Sequence, residues 1–456
     1  MTTTTMTELT STNPATGKAV GTVPLTPVDQ IADVFQRSHV AQGPWAAMSL
    51  ESRIDMLKQV VPVLESRADD IGALITAEMG KPLAEGIGEV KYGVGSMSAK
   101  LDEIAQALMP EDLTDGSTRS TLYRDPFGVC VAITPWNFPF LMVLQIVMPA
   151  LAAGNTVVMK PSEMVPLTGQ AFADAFNKVL PAGVLQIVHG DDVQGKALVA
   201  GDCDLIGFTG SRAAGQHILS TAGKDLKRVV LELGGKDPMI VLDDADVEAA
   251  ASFAARNSFR NCGQVCVSTE RIYVEPTIAN EFEQAVIQKA SELVVGNGAD
   301  EGVQIGPMVS AEQKAHVLAQ LKQAKADGAT VAFGDTPMDG NFVSMTVLTG
   351  LDHSMPIMMD ETFGPIACIV RVSDANEAVR LANDTPYGLG AAVFGEKEAE
   401  QVARQLTAGM VGVNQGCGGA SGTPWVGAGQ SGYGYHGGRD GHRQFAQVRV
   451  VSRPCG

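Results

Sequence analysis

Cys266 closes the stretch Phe259-Arg260-Asn261-Cys262-Gly263-Gln264-Val265-Cys266, after a glycine-containing loop that leaves a helix. A nucleophilic thiol needs that access, although a cysteine taken alone is more often a small buried hydrophobe. Glu232 stands near the end of an apolar strand, in Leu231-Glu232-Leu233-Gly234-Gly235-Lys236, where glycines let other backbone or a ligand approach. Partly desolvated by leucines on both sides, its carboxylate suits a general base near neutral pH; the alternative is an ion pair with Lys236. Thr134-Pro135-Trp136-Asn137-Phe138-Pro139 is a rigid turn after a strand. It can hold the Asn137 amide as a preorganised donor to an oxyanion, or be only a turn.

Two further segments suit a nucleotide. In Phe208-Thr209-Gly210-Ser211-Arg212-Ala213-Ala214-Gly215, between strand and helix, free N–H groups and the helix dipole can hold a pyrophosphate, without the usual Gly-x-Gly-x-x-Gly spacing. Lys160 and Glu163, in Val158-Met159-Lys160-Pro161-Ser162-Glu163, can hold ribose hydroxyls or sit as a solvated strand end. Gly190-Asp191-Asp192-Val193-Gln194-Gly195-Lys196-Ala197 resembles a phosphate loop and fails on chemistry. Ala197 lacks the hydroxyl for Mg²⁺, and the two aspartates repel phosphate.

Composition removes other classes. A net charge of −18 opposes nucleic acid and anionic membrane surfaces. The seven histidines show no His-Glu-x-x-His and the cysteines no paired Cys-x-x-Cys, so no metal site is expected. Seven cysteines scattered from Cys130 to Cys455 make no disulfide framework. Met1 to Ser11 lacks the features of a signal peptide and no apolar run is long enough to span a membrane, so a cytoplasmic location is expected.

The elements that must carry these residues follow from periodicity. The first hundred residues read as helix over Pro27 to Arg37, Leu50 to Ile75 and Leu83 to Leu108, after a turn at Asn13 to Gly17. Strands at Val129 to Thr134, Thr156 to Met159, Val184 to His189, Leu205 to Thr209 and Val229 to Leu233 then alternate with helices at Gly169 to Leu180, Val193 to Ala200 and Arg212 to Ala222. That succession implies a parallel, Rossmann-like sheet buried on both faces. A strand at Met239 to Leu242, helices at Val247 to Phe259 and Ile278 to Val294, and more α/β pattern to about Val413 predict a second α/β domain. Ser117 to Asp125 and Gln444 to Arg453 read as exposed edge strands, either an oligomerisation surface or solvated edges.

In this order, from about Asn13 to Val451, the segments resemble the aldehyde dehydrogenase superfamily. Glu232, Cys266 34 residues later in Gly-Gln-Val-Cys, and Asp360-Glu361-Thr362-Phe363-Gly364-Pro365 match its motifs. The resemblance implies a Rossmann-type cofactor domain (1–114 and 134–233), an α/β catalytic domain (234–415) and a small β oligomerisation arm (115–133 and 416–456) in a homodimer or homotetramer. It implies that Cys266 attacks an aldehyde, that Asn137 and the Cys266 N–H hold the oxyanion, and that Glu232 activates water against the thioester. Lys160, Ser162 and Glu163 then bind the adenosine ribose, and Gly210 and Ser211 approach the phosphates. Thr134, Pro135 and Trp136 flank the cofactor, and Glu361 and Phe363 place the nicotinamide ribose and ring. A carboxylate at Glu163 accepts from a free 2′-hydroxyl and repels a 2′-phosphate, which favours NAD over NADP.

The substrate is a small aldehyde. Phe259-Arg260-Asn261 and Met410 to Gly416 resemble succinate-semialdehyde dehydrogenases, in which an arginine at the position of Arg260 binds the distal carboxylate. Gln145 replaces their second arginine, and Cys417 to Trp425 departs from them, as does Gly429 where the family carries a lysine. Semialdehydes therefore stand beside other aliphatic and aromatic aldehydes. Competing readings are a catalytically silent member, or coenzyme A acylation or thiol hydrolysis at Cys266. Cys262 reads as an inert loop thiol or a redox partner of Cys266.

Overall fold

The computed structural model describes residues 7–455. A six-stranded sheet runs in the order Gly432–Tyr433, Arg228–Glu232, Leu205–Thr209, Val129–Thr134, Thr156–Pro161, Leu185–Ile187; the last five strands are mutually parallel and the first is antiparallel. Alternation across the central strand divides its side chains between two cores. Cys130 and Ala132 face the helices Leu83–Leu108, Leu141–Ala152 and Pro166–Asn177, whereas Val129 and Val131 face Ile31–Ala47, Asp192–Ala200 and Arg212–Ala222. Burial on both faces is why these strands read as unbroken apolar runs.

The second sheet has seven strands, in the order Thr330–Phe333, Thr346–Thr349, Ile366–Arg371, Thr269–Val274, Asp237–Val241, Gly390–Phe394, Met410–Val413. All its pairings are parallel except the outermost, between Thr330–Phe333 and Thr346–Thr349. Two α/β units thus meet where Glu232 ends one sheet and Asp237 begins the other.

Four expectations are corrected. The N-terminal region is not helical from the start: Glu8–Thr12 and Ala19–Pro24 form a hairpin around the predicted turn, where Asn13 Oδ1 accepts the Ala15 and Thr16 amides. The helix predicted over Leu50 to Ile75 is three, Leu50–Lys58, Val60–Glu65 and Ala68–Met79; the first break falls where Pro62 has no N–H to bond the Lys58 carbonyl, the second at Ser66 and Arg67. Thr118–Pro126 and Ala446–Pro454 are not two free edges, since they pair with each other over their full length and Glu111–Thr114 completes a three-stranded sheet. Finally, Val129–Thr134 is central to the cofactor sheet rather than part of a 115–133 arm, and Gly432–Tyr433 joins that sheet from the 416–456 segment. The P-loop lookalike is a helix start, with Asp191 and Gln194 forming a capping box.

Candidate active site

The carboxyl end of the six-stranded sheet and the amino end of the seven-stranded sheet open onto one cleft of about 1430 Å³. Helix Val247–Phe259 ends in a short turn in which Asn261, Cys262 and Gly263 all have left-handed backbone, with φ of 53°, 58° and 72°. Only glycine suits the last of these, because a Cβ there would lie 2.1 Å from the Gly364 carbonyl oxygen. The turn brings Cys266 to the cleft wall, with Sγ 4.0 Å from Glu232 Oε1. Burial and the Glu232 carboxylate push this thiol well above its ordinary value. Cys262 is fully buried in the second domain's apolar core, and burial holds its thiol up at about 12, the setting of an inert thiol.

Glu232 does not pair with Lys236. Lys236 Nζ instead meets Glu270 Oε2 at 2.5 Å, with both side chains buried. Glu232 Oε2 accepts from His436 Nε2 at 2.7 Å, and Thr209 Oγ1 lies 3.4 Å away. The antiparallel pairing of Gly432–Tyr433 with Leu231 and Glu232 brings the late segment beside the base.

Asn137 is buried, and its amide nitrogen donates to the Gln264 carbonyl at 3.1 Å, two residues before Cys266. The second amide proton remains for an oxyanion. The turn that carries Asn137 is fixed by a buried ion pair, Lys81 Nζ to Glu89 Oε2 at 2.6 Å. Lys81 also donates to the Asn137 carbonyl at 2.8 Å, and Glu89 Oε1 accepts the Phe140 and Leu141 amides at 2.9 and 3.2 Å.

The residues predicted for a dinucleotide occupy one side of the cleft. Pro135, Trp136, Glu163, Gly210, Ser211, Glu361 and Phe363 line it, while Thr134, Lys160 and Ser162 are buried behind. Trp136 and Phe363 meet edge to face at 5.5 Å. Ser211, next to the lining Gly210, caps helix Arg212–Ala222, its side chain accepting the Ala214 amide. Lys160 Nζ is 3.8 Å from Glu163 Oε2, and burial lowers the lysine's pKa. Glu361 Oε1 accepts the Gly235 amide at 3.1 Å, and burial, with Glu270 nearby, raises its carboxyl to about 8. The Thr134 hydroxyl is buried without a partner. A cradle of glycine backbone, a capped helix start, ribose-height carboxylates and an orphaned hydroxyl fit NAD or NADP.

The other side of the cleft carries Arg260 and Gln145. Arg260 Nε lies 3.6 Å from Glu85 Oε2, and its guanidinium lies over the Phe138 ring at 5.4 Å. Sequence reasoning missed His436, Lys81, Glu89 and Glu270. For His436 the available signal was a single histidine among Gly434, Gly437 and Gly438, three glycines with positive φ.

The aldehyde dehydrogenase family profile matches residues 1–451. The chain belongs to the aldehyde dehydrogenase family. It is 38% identical over 449 residues, 96% of this chain and 91% of the relative, to a probable succinate-semialdehyde dehydrogenase [NADP(+)] of Sinorhizobium fredii. It is 34% identical over 452 residues, 96% of this chain and 93% of the relative, to a glutarate-semialdehyde dehydrogenase of Pseudomonas putida. A crystal structure of an aldehyde dehydrogenase from Brucella melitensis biovar abortus superposes with a TM-score of 0.94 at 36% identity, covering 98% of this chain and 94% of that one. This dehydrogenase therefore has the family's α/β fold and acts on aldehydes, in a family that uses NAD or NADP.

Two outcomes are expected. Lys81→Met strands the Glu89 carboxylate and should cost about 3–5 kcal/mol in urea unfolding. An unchanged midpoint would mean the pair carries no stability. The raised thiol makes alkylation of Cys266 by iodoacetamide slower at pH 7 than that of a free thiol, with a rate still climbing past pH ~9. A plateau below pH 8 would contradict a protonated resting thiol.

Proposed function

We propose that this dehydrogenase oxidises an aldehyde to the free carboxylic acid through a thioester on Cys266, with Glu232 as general base and Asn137 as oxyanion donor. The observation that carries this reading is Cys266 Sγ at 4.0 Å from Glu232 Oε1, beside a loop anchored by the Asn137 amide. Glu232 takes the thiol proton, and the thiolate forms a C–S bond to the carbonyl carbon while Asn137 stabilises the oxygen. The bound nicotinamide supplies the acceptor for the hydride that leaves this carbon. Once Glu232 has released the thiol's proton to solvent, water gives a proton to Glu232 and its oxygen to the acyl carbon, the C–S bond breaks, and the sulfur leaves as thiolate. An acid placed for that last step favours hydrolysis over transfer to coenzyme A.

Glu163 supports NAD over NADP, because a carboxylate at the cleft accepts from a 2′-hydroxyl and repels a 2′-phosphate. Arg260 supports a semialdehyde whose distal carboxylate it can bind. Its contact with Glu85 and the neutral Gln145 opposite a single guanidinium support a second reading, in which uncharged aliphatic or aromatic aldehydes serve as well. The outer edge of Ala446–Pro454, with Val448, Val450 and Val451 exposed, supports assembly as a homodimer or homotetramer.

The test is kcat/KM for succinic semialdehyde, short and medium alkanals and benzaldehyde with both cofactors, read as reduced-nicotinamide absorbance. Cys266→Ser should abolish turnover, and Glu232→Gln should lower it by about 10²–10⁴. Absence of any absorbance across the panel would overturn the reading. Arg260→Ala should reduce kcat/KM for succinic semialdehyde by about tenfold or more, the loss of a charge-assisted bond, and spare benzaldehyde. An equal loss for all aldehydes would make Arg260 structural.

A further inference from the structure

The late glycine-rich segment delivers one side chain to the general base. Trp425 and His436 exchange backbone hydrogen bonds at 2.8 and 3.3 Å, and their rings stack with centroids 6.4 Å apart and planes 8° from parallel. Gly437 and Gly438, with φ of 72° and 60°, turn the chain away immediately afterwards. The result is a buried imidazole with Nε2 2.7 Å from Glu232 Oε2 and Nδ1 without any partner. A proton on Nδ1 would be a buried unsatisfied donor, whereas one on Nε2 is donated to a carboxylate, so the neutral ring carries its proton on Nε2. The two oxygens of Glu232 are thereby divided, Oε2 toward His436 and Oε1 toward Cys266.

We propose that His436 is a positioning residue for the base: its Nε2–H grips Oε2 of ionised Glu232 and leaves Oε1 aimed at the thiol and at the hydrolytic water. The inference rests on Glu232 being the base. The groups facing the ring are Glu232 from the sheet edge, Trp425 from the preceding loop, and His442 from helix Gly438–Arg443. Beyond His442 lie Lys100 and Glu103 of helix Leu83–Leu108, with His442 Nε2 3.5 Å from Glu103 Oε1. Burial and Lys100 hold His442 down at about 4, so it stays neutral across the working range.

The experiment compares His436→Leu, His436→Gln and His436→Asn in the enzyme loaded with NAD, reading the pH profile of kcat, KM and the pre-steady-state burst of reduced nicotinamide. Leucine removes the donor, glutamine restores an N–H at about the reach of Nε2, and asparagine offers one that falls short. In His436→Leu and His436→Asn the acidic limb of kcat should move up by about one pH unit or more, which is roughly tenfold in rate on that limb. KM should stay within about twofold and the burst should persist, since uniform binding is not what the bond supplies. His436→Gln should keep the wild-type limb whatever its absolute rate. An unshifted limb in His436→Leu, or in His436→Asn where leucine prevents folding, overturns the role, as does a glutamine variant shifted as far as asparagine. Glu232→Gln separates the two levels. If its rate and profile match the wild type, the base reading fails and takes this one with it. If it is impaired while the His436 variants keep the wild-type limb, only the positioning role falls.

Discussion

The site hangs on one buried ion pair. Lys236 sits in the four-residue link between the sheets, and Glu270 opens the strand that follows the nucleophile. Glu270 Oε2 accepts from Lys236 Nζ at 2.5 Å and from the Thr362 amide at 2.8 Å, while Oε1 accepts the Phe363 amide at 2.9 Å. Lys236 adds a bond to Thr362 Oγ1 at 3.0 Å. Taking both charges out of water is costly, and the geometry compensates by satisfying nearly every lone pair and proton. Three segments distant in sequence are thereby pinned to one point: the strand end at Glu232, the loop before Thr269 that carries Cys266, and residues 361 to 363. Loss of either partner leaves an uncompensated charge at the seam, so the link is conditional on both.

Around that point the field is negative. Glu232 raises the Cys266 thiol, and Asp237 and Glu361 add to it after burial has done most. Asp237 is itself buried with neither oxygen bonded by a side chain, and burial pushes it well above the usual carboxylate range. The resting thiol is thus an unreactive one, unlike cysteines made acidic by a helix start or a cation. On the proposed reading, reactivity comes from proton transfer to Glu232, so the orientation of that carboxylate matters more here than the thiol's own acidity.

How much of this was legible in the sequence follows from what each residue depends on. Strands such as Val129–Thr134 and Thr156–Pro161 were legible because burial on both faces writes an apolar run. The gathering of Cys266, Glu232 and Asn137 at one cleft was legible because each sits in a short motif, ambiguous alone, and the motifs in their order resemble those of a known family. The N-terminal hairpin was not, because Glu8–Thr12 and Ala19–Pro24 are mostly polar and exposed and have little apolar alternation to show. Lys81–Glu89 and Lys236–Glu270 escaped because a charged residue in sequence reads as solvated, and only tertiary packing reveals that its partner is buried with it. His436 escaped because its partner is more than two hundred residues away, and the strand that brings it back, Gly432–Tyr433, is only two residues long.

Selectivity depends on a pattern hidden by another pattern. Helix Leu83–Leu108 buries Val90, Val94, Met97, Leu101 and Ile104, a stripe at three- and four-residue spacing that accounts for its apolar period. A second stripe on the same helix, Glu85, Glu89, Tyr92, Ser96, Lys100 and Glu103, faces the cleft with similar spacing and mixed chemistry. The hydrophobic period conceals it, since polar residues off the core face are ordinarily solvent-facing. One member of it, Glu85, already engages Arg260, and another, Glu89, fixes the Asn137 turn through Lys81. A substrate carboxylate reaching for Arg260 must therefore compete with Glu85 at the cleft wall. An uncharged aldehyde meets no such competition among Met142, Met148 and Trp425. The same helix thus fixes the Asn137 turn and, on the proposed reading, weights the choice of aldehyde, so changes along its second stripe are expected to couple rate to specificity.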